Sequence, residues 1–355
     1  MPTISNKILN RFFDGYDIID IITYGNGHIN NTYLVTTNLG KFILQQVNSK
    51  VFNIDNLVHN YDYLTGSISK QGSSGRLFPE FITDKFGLYH FIDSDGTAWR
   101  LNKFIENNSS YSISPSTIIT EGAGRAMGKF QLFLATLNCH KFKDTIPDFH
   151  NPLRRLNEFE LVLNKVESTI KTTAKNEIKL ALKNKSIATK ISDLLKNNLL
   201  PDRVTHNDTK LENILFDNTS SHVYVIDLDT VMKGTVLFDF GDMVRSITSL
   251  AKEDEQDLHK VSFNMDHFEA LCKGYFLELK SILTLIEKQH VMLGTLSIIY
   301  EQSLRFLTDY LSGNIYYKVD YPTHNLIRCR TQFKLLEDII LNKERAEEII
   351  QKHLY

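Results

Sequence analysis

Apolar positions follow two different rhythms along this chain. Over roughly the first hundred residues they recur at strand spacing, and beyond that mainly at helical spacing. Ile18 to Tyr24 is rich in β-branched residues, Gly25-Asn26-Gly27 has turn chemistry, and Thr32 to Thr37 resumes strand character. Asn38-Leu39-Gly40 makes a second turn before Lys41 to Val47, so three consecutive antiparallel strands are predicted. Val51 to Ser69 sets Ile54, Leu57, Val58, Tyr61 and Leu64 on one helical face, the single helix expected in this part, and Gly72 to Gly75 reads as a loop. Leu88 to Ile92 and Ala98 to Ile105 flank Asp93-Ser94-Asp95-Gly96, a hairpin signal. Phe104 to Ser110 reads as a linker. Helices are predicted over Ser116 to Leu137, over Leu153 to Lys165, along a Lys-rich segment, and several times from Asp239 onward. No internal repeat or low-complexity tract interrupts the pattern.

The 355 residues suffice for two compact lobes or one large domain. A net charge of −2 provides no field to draw the chain to nucleic acid or to a membrane surface. The lysines between Lys165 and Lys190 alternate with Glu and apolar residues, the mark of a solvated helix face. Cys139, Cys272 and Cys329 are widely spaced and odd in number, which argues against a disulfide framework and for a reducing, cytoplasmic home. The N-terminal MPTISNKILNRFF lacks the apolar core of a signal peptide, and no apolar run is long enough to span a bilayer.

The strongest chemical signal lies in HNDTKLENILFDNTSSHVYVIDLD, residues 206–229. Asp208 follows His206 in a loop, Asn213 lies five positions on, and Asp227 ends an apolar strand pair. This is the spacing of a phosphoryl-transfer loop: one Asp to align the attacking hydroxyl, an Asn and a second Asp to hold Mg²⁺. Asp208 is therefore the candidate base, Lys210 the candidate neutraliser of the transferred phosphoryl group, and Asn213 and Asp227 the candidate metal ligands, with ATP as co-substrate. His206 is expected to bond backbone, and Asp239 and Asp242 to brace the loop in the same way. Gly25, Asn26 and Gly27 stand where a phosphate-covering turn belongs, since glycines let backbone amides approach phosphate. Two partners expected of a kinase are missing. Gln45 or Gln46 occupies the place of the strand lysine, His59 and Asn60 that of the helix acid, and Lys41 is a possible substitute.

A β-rich first part, a short hinge and a helical remainder form the order of a protein kinase. The strings YGNGHINNTYLV, FILQQVN, WRLNKFIENNSSY, RVTHNDTKLENILFD, VYVIDLDTVMKGTVLFDFGDMVRS and EQSLRFLTDYLSGNIYYKV span nearly the whole chain. In them the chain resembles the aminoglycoside phosphotransferase/choline kinase superfamily and, within it, the N-acetylhexosamine 1-kinase family. The resemblance implies an α+β, bilobal protein-kinase-like fold: a small antiparallel β-sheet lobe over residues 1–105 that binds nucleotide, and a larger, mainly helical lobe over 106–355. Adenine is expected at the hinge, on backbone groups of Lys103, Phe104 and Ile105. His28 near the sugar is implied by the resemblance, as are Arg305, Tyr317 and Arg328 as substrate contacts. Asp229 departs from the Asp-x-Gly of many superfamily members. It points to the same side of a strand as Asp227, toward metal or sugar, and the sugar is preferred because Mg²⁺ seldom needs a third protein carboxylate.

These residues imply phosphorylation of the anomeric hydroxyl of N-acetylglucosamine or N-acetylgalactosamine, with a sugar and ATP as partners and neither nucleic acid nor membrane. Choline and aminoglycoside kinases are the rival readings, and a pseudokinase binding module is a third. Choline wants an aromatic cage, and the only tryptophan, Trp99, lies in the sheet-rich part.

Overall fold

The computed structural model describes residues 4–25, 29–71, 77–220 and 222–355. The chain forms two compact units, each discontinuous in sequence. The smaller comprises Met1–Ser109, Leu137–Pro147 and Leu215–Lys233, and the larger Ser110–Thr136, Asp148–Ile214 and Gly234–Tyr355.

The smaller unit opens with a helix that the strand pattern did not announce, α1 (Asn6–Phe12). The three expected strands follow as β1 (Ile18–Thr23), β2 (Asn31–Thr37) and β3 (Gly40–Gln46), antiparallel throughout. Next come α2 (Ile54–Gln71), β4 (Phe81–Ile82), β5 (His90–Ile92) and β6 (Ala98–Lys103). The sheet runs β1-β2-β3-β6-β4, with β5 also on β6. Strand alternation gives its two faces different cores. Val35, Phe42, Leu44, Trp99 and Leu101 pack with Ile8 and Phe12 of α1. Val47 and Ala98 pack with Leu57 of α2. On β6 the polar Arg100 is buried as well, directly across from Gln45. The expected linker is not wholly irregular, because it contains β7 (Asn108–Ser109).

In the larger unit, α3 (Thr117–Leu134) and α4 (Pro152–Lys165) match their expected spans to within a turn. The Lys-rich segment continues as α5 (Ser168–Thr173), α6 (Lys175–Lys183) and α7 (Ser186–Lys196), with its lysines exposed or half-buried as a solvated face requires. A short strand, β8 (Arg203–Thr205), then leads into the HxD loop. Returning to the smaller unit, β9 (Ile214–Asp217) pairs with β7 and with β10 (Val223–Val225). The rest is helical: α8 (Val236–Ile247), α9 (Met265–Leu279), α10 (Leu285–Leu311), α11 (His324–Leu341) and α12 (Lys343–Leu354). None of the helices among the described residues is long and apolar enough to cross a membrane.

Two features hold this helical core together. Thr284 and Glu287 form a reciprocal capping box at the start of α10. Buried Glu287 also grips Arg203 through two bonds, Nε to Oε1 at 2.6 Å and Nη2 to Oε2 at 2.8 Å, and so fixes the strand that enters the loop. The second feature is a close crossing of α3 and α9. A Cβ on Gly274 would lie 2.2 Å from the Glu121 carbonyl oxygen and 2.9 Å from the Arg125 nitrogen, both backbone atoms within α3. Gly274→Ala is therefore expected to destabilise the fold by about 1–3 kcal/mol. Gly66→Ala in α2, where a Cβ meets nothing within 4 Å, is expected to stabilise by about 0.5–1 kcal/mol through helix propensity. Chemical denaturation of the two variants checks both signs.

Candidate active site

Asn207 carries the turn that follows β8. Its φ of 64° is left-handed, a conformation that Asn tolerates better than most residues. Thr205 Oγ1 donates to Asn207 Oδ1 at 2.9 Å, and Asn207 Nδ2 donates to the Thr205 carbonyl at 3.2 Å. Asp239, in the first turn of α8, accepts the backbone N–H of His206 at 2.9 Å and of Asn207 at 2.7 Å. Thr209 Oγ1 donates to the Asp239 carbonyl at 2.6 Å. Burial raises the Asp239 pKa to about 6, against the pull of nearby His206 and the two backbone donors. Asp239 thus braces the loop by backbone bonds, as expected, whereas Asp242 does not. It pairs with Arg245 one turn along α8, Arg245 Nε to Asp242 Oδ1 at 2.8 Å.

His206 is fully buried, its ring edge against Phe130, and its Nδ1 accepts the Asp208 N–H at 3.2 Å. A backbone-bonding role was expected for it. Asp208 Oδ2 accepts from Lys210 Nζ at 3.0 Å and from Asn213 Nδ2 at 2.9 Å, and Asn213 Nδ2 also reaches the Asp208 carbonyl at 2.8 Å. Burial works to raise the Asp208 pKa, but the charges of Lys210 and His206 and the two side-chain bonds outweigh it, so the carboxyl is held below its ordinary value. Both side-chain contacts fall on Oδ2. An ionised Asp with Oδ1 clear of them is suited to accept a proton from a hydroxyl. The Asn213 amide donates through Nδ2, which leaves Oδ1 as the oxygen it can offer a cation.

A strut missed in the sequence supports the loop from behind. His150 Nε2 donates to the Asn207 carbonyl at 2.7 Å, and its Nδ1 lies 3.4 Å from Glu301 Oε1. Burial opposes charge on His150, yet Glu301 and these bonds prevail and raise its pKa. Glu301 is 1% exposed and opens the string in which Arg305 was singled out. Arg305 lies one turn later on α10, on the same face. Its guanidinium carbon sits 5.4 Å from the Phe149 ring centre, 5.9 Å from Tyr316 and 5.7 Å from Tyr317. Tyr317 packs on Phe306 at 4.9 Å. Arg328 lies over Phe306 but donates to the Lys318 carbonyl at 3.2 Å and to Asn325 Oδ1 at 3.1 Å, so it ties down the segment after α10. Asp309 accepts the N–H groups of Ile315, Tyr316 and Tyr317 at 2.8–2.9 Å, which fixes the two tyrosines.

The smaller unit holds the other predicted residues. Asp227 is left-handed, with φ 61° and ψ 59°, and half-buried. Asp229, the expected sugar contact, is 2% exposed and forms a buried ion pair with Arg100 Nη1. Its other oxygen accepts from Asn30 Nδ2 at 2.6 Å. With both oxygens engaged, Asp229 neutralises Arg100 instead of presenting itself to a sugar. Burial opposes the Arg100 charge, but Asp229 chiefly, and Asp227 more weakly, raise its pKa. Arg100 Nε donates to Gln45 Oε1 at 3.0 Å. Asn60 donates to the carbonyls of Lys143 at 2.7 Å and Val231 at 3.1 Å. Lys41 pairs instead with Glu106, at 3.4 Å.

At the hinge, the Lys103 N–H is taken by the Glu80 carbonyl at 2.8 Å and that of Phe104 by the Lys41 carbonyl at 3.0 Å. The donors first expected to read adenine are therefore used by the sheet, and the Ile105 carbonyl accepts from Asn108. Gly25 has a left-handed φ of 76°, as a turn glycine should. Asn26, Gly27 and His28 lie outside the described residues.

Because the folded pKa of His150 is raised, its contribution to stability is complete below the ordinary histidine value of about 6.5 and is lost as pH rises through the folded value. The thermal midpoint should therefore drop between about pH 6 and pH 9, by roughly 3 °C. His150→Gln, whose amide still reaches the Asn207 carbonyl, should flatten that slope. Melting curves across this range check it.

Comparisons with known proteins bear on the fold and the family. A spectinomycin phosphotransferase in complex with ADP and spectinomycin superposes with a TM-score of 0.61 at 12% identity, over 97% of this chain and 100% of that one. An amicoumacin kinase in complex with AMP-PNP, Ca²⁺ and Ami gives 0.59 at 11%, over 92% and 91%. A choline kinase from Streptococcus pneumoniae gives 0.56 at 14%, over 93% and 96%. At these identities the likeness establishes the fold: an antiparallel sheet unit and a larger helical unit of the protein-kinase-like type. A family profile described as the phosphotransferase enzyme family matches residues 20–269. With most of the chain inside that match and the HxD loop within it, the protein belongs to the aminoglycoside phosphotransferase (APH) phosphotransferase family.

Proposed function

We propose that this small-molecule kinase uses Mg-ATP to phosphorylate the anomeric hydroxyl of an N-acetylhexosamine, giving a sugar 1-phosphate. The observation that carries the choice of acceptor is the setting of Arg305. Its guanidinium lies among Phe149, Tyr316 and Tyr317, and among the described residues it has no carboxylate partner. Such an aromatic group already holds a cation. A quaternary ammonium would compete with that guanidinium for the same ring faces, and an aminoglycoside would bring like charge against it. A neutral ring bearing hydroxyls and an amide carbonyl suits a fork-shaped donor flanked by aromatic faces.

The cluster is also connected to the chemistry. Consecutive residues Phe149 and His150 meet Arg305 and Glu301, one turn apart on α10, and His150 holds the carbonyl next to Asp208. In this reading Asp208 aligns the acceptor hydroxyl and takes its proton late in transfer, while Lys210 balances charge near the moving phosphoryl group. Asn213 Oδ1 and the Asp227 carboxylate are hard oxygen donors of the kind Mg²⁺ prefers. Among the described residues no group of three or more His, Cys, Asp or Glu gathers to hold a metal. When bound, Mg²⁺ would offset phosphate charge. The adenine contacts fall to hinge groups from Ile105 onward.

Turnover of Mg-ATP with N-acetylglucosamine, N-acetylgalactosamine, choline and kanamycin as acceptors tests the reading. Sugar 1-phosphate, with linkage established by NMR, should form, and Asp208→Asn should lower kcat by about 10²–10⁴-fold. Arg305→Ala should raise KM for the sugar far more than KM for ATP. Turnover of choline or kanamycin in preference to both sugars would sink the acceptor assignment. Nucleotide binding without turnover of any acceptor would favour a binding module.

A further inference from the structure

We propose that the Arg100–Asp229 ion pair, seated on Gln45, takes the place of the strand lysine and helix acid of kinases, with Arg100 the positioning residue for Asp227. The proposal rests on the kinase reading above and deepens it. It starts from four departures: Gln45 or Gln46 where a kinase has its strand lysine, His59 and Asn60 where it has the helix acid, Asp229 in place of the glycine of Asp-x-Gly, and a buried arginine on β6. In the structure all four converge on one segment. Gln45 and Arg100 are direct cross-strand partners, and Gln45 Oε1 accepts from Arg100 Nε at 3.0 Å. Arg100 Nη1 then bonds Asp229 Oδ1. Asn60 donates to the Val231 carbonyl at 3.1 Å, two residues further on.

The substitutions are mutually necessary. A lysine at 45 would set a second cation directly beside the buried arginine. A glycine at 229 would leave that arginine without a counter-charge, and buried charges persist only when paired. Gln45 is therefore an uncharged acceptor because the cation has moved one strand over. Asp229 is an acid because the cation needs one.

The consequence falls on Asp227. A left-handed Asp is sparsely populated and persists where its surroundings over-determine it. Here the following 3₁₀ turn, Leu228–Thr230, is restrained on all sides. Arg100 and Asn30 hold the Asp229 carboxylate, and Thr145 Oγ1 donates to the Asp229 carbonyl at 2.8 Å. Asn30 adds a second link, since its Oδ1 accepts the Asn48 N–H at 3.1 Å and so ties the chain after the Gly25 turn to the same carboxylate. Arg100 thus acts through Asp229 on the backbone that presents Asp227.

The test is Mg-ADP affinity by calorimetry, alongside ADP affinity in EDTA and thermal melting, for Arg100→Gln and for Gln45→Lys/Arg100→Gln. Arg100→Gln should weaken Mg-ADP binding by about 10–100-fold, the usual cost of losing a residue that orients a metal ligand, and change metal-free ADP binding much less. KM for ATP should rise while KM for the acceptor stays put. The double variant returns a cation to the strand position paired with residue 100 and should regain most of the affinity. Should Arg100→Gln fail to fold, Arg100→Gln/Asp229→Asn removes both charges and should fold with the same loss of Mg-ADP binding. A folded variant lacking Arg100 that binds Mg-ADP within twofold of wild type would overturn the proposal, as would a folded Gln45→Lys/Arg100→Gln that regains nothing. Wild-type protein that binds no nucleotide would strike the kinase reading itself, an outcome read before any variant is compared.

Discussion

An ion pair taken out of water is the constraint around which the smaller unit is arranged. Arg100 and Asp229 are 4% and 2% exposed. Desolvating each ion costs several kcal/mol, and removing one partner of such a pair typically costs about 3–5 kcal/mol. The sheet meets this cost by surrounding the pair with neutral hydrogen-bonding groups. Gln45 accepts from the guanidinium, Asn30 donates to the carboxylate, and the Tyr61 ring lies 5.3 Å from the guanidinium carbon. That explains why one face of an otherwise apolar sheet is polar at its centre. It also explains why α2 presents Asn60 at a place where an acid would add unmatched negative charge.

The larger unit solves a related problem in the opposite way. Its loop must keep one carboxylate available while another is used up as scaffold. Asp239 is the scaffold: burial lifts its pKa to about 6, and two backbone N–H groups hold it in place. Among the described residues, Asp208 accepts from side chains rather than from backbone donors. Its charge is sustained by Lys210, His206 and Asn213, a set that leaves one oxygen open. Two aspartates in one loop region thus have pKa values moved in opposite directions: burial prevails at Asp239 over nearby histidines and two backbone donors, whereas at Asp208 the Lys210 and His206 charges and two side-chain bonds prevail over burial.

The sequence made much of this legible. Strand alternation announced β1, β2 and β3, and the helical period announced α2, α3 and α4, because each pattern is local. The contacts within the HxD loop were legible for the same reason: Asp208, Lys210 and Asn213 are close along the chain and bond one another. What escaped was non-local. α1 is only seven residues long, too short for its period to register. His150 lies 57 residues from the carbonyl it holds, and nothing near it in sequence marks the contact. Asp229 was misread for a similar reason. Its strand-side position relative to Asp227 was taken from simple alternation, but the chain turns left-handed at Asp227 and continues as a 3₁₀ turn. Its true partner, Arg100, is 129 positions away. The hinge shows the limit from another side, since which backbone donors remain available depends on pairing that composition does not encode.

Arg305 shows how a guanidinium without a paired carboxylate differs in its setting from one that is matched. Several other buried or half-buried arginines here meet a carboxylate: Arg100 with Asp229, Arg203 with Glu287, Arg245 with Asp242. Arg305 stands instead among three aromatic rings. Glu301, one turn away, is directed to His150, and Asp309, one turn on, to backbone amides. Both nearby acids are thus committed elsewhere by bonds the fold needs. The guanidinium is held by neutral groups rather than by an acid: its Nη1 donates to Gln302 Oε1 at 3.5 Å, and Tyr316 bonds it as well. The same hydrogen bonds that stabilise the loop and the tyrosine segment therefore leave Arg305 without a carboxylate partner among the described residues.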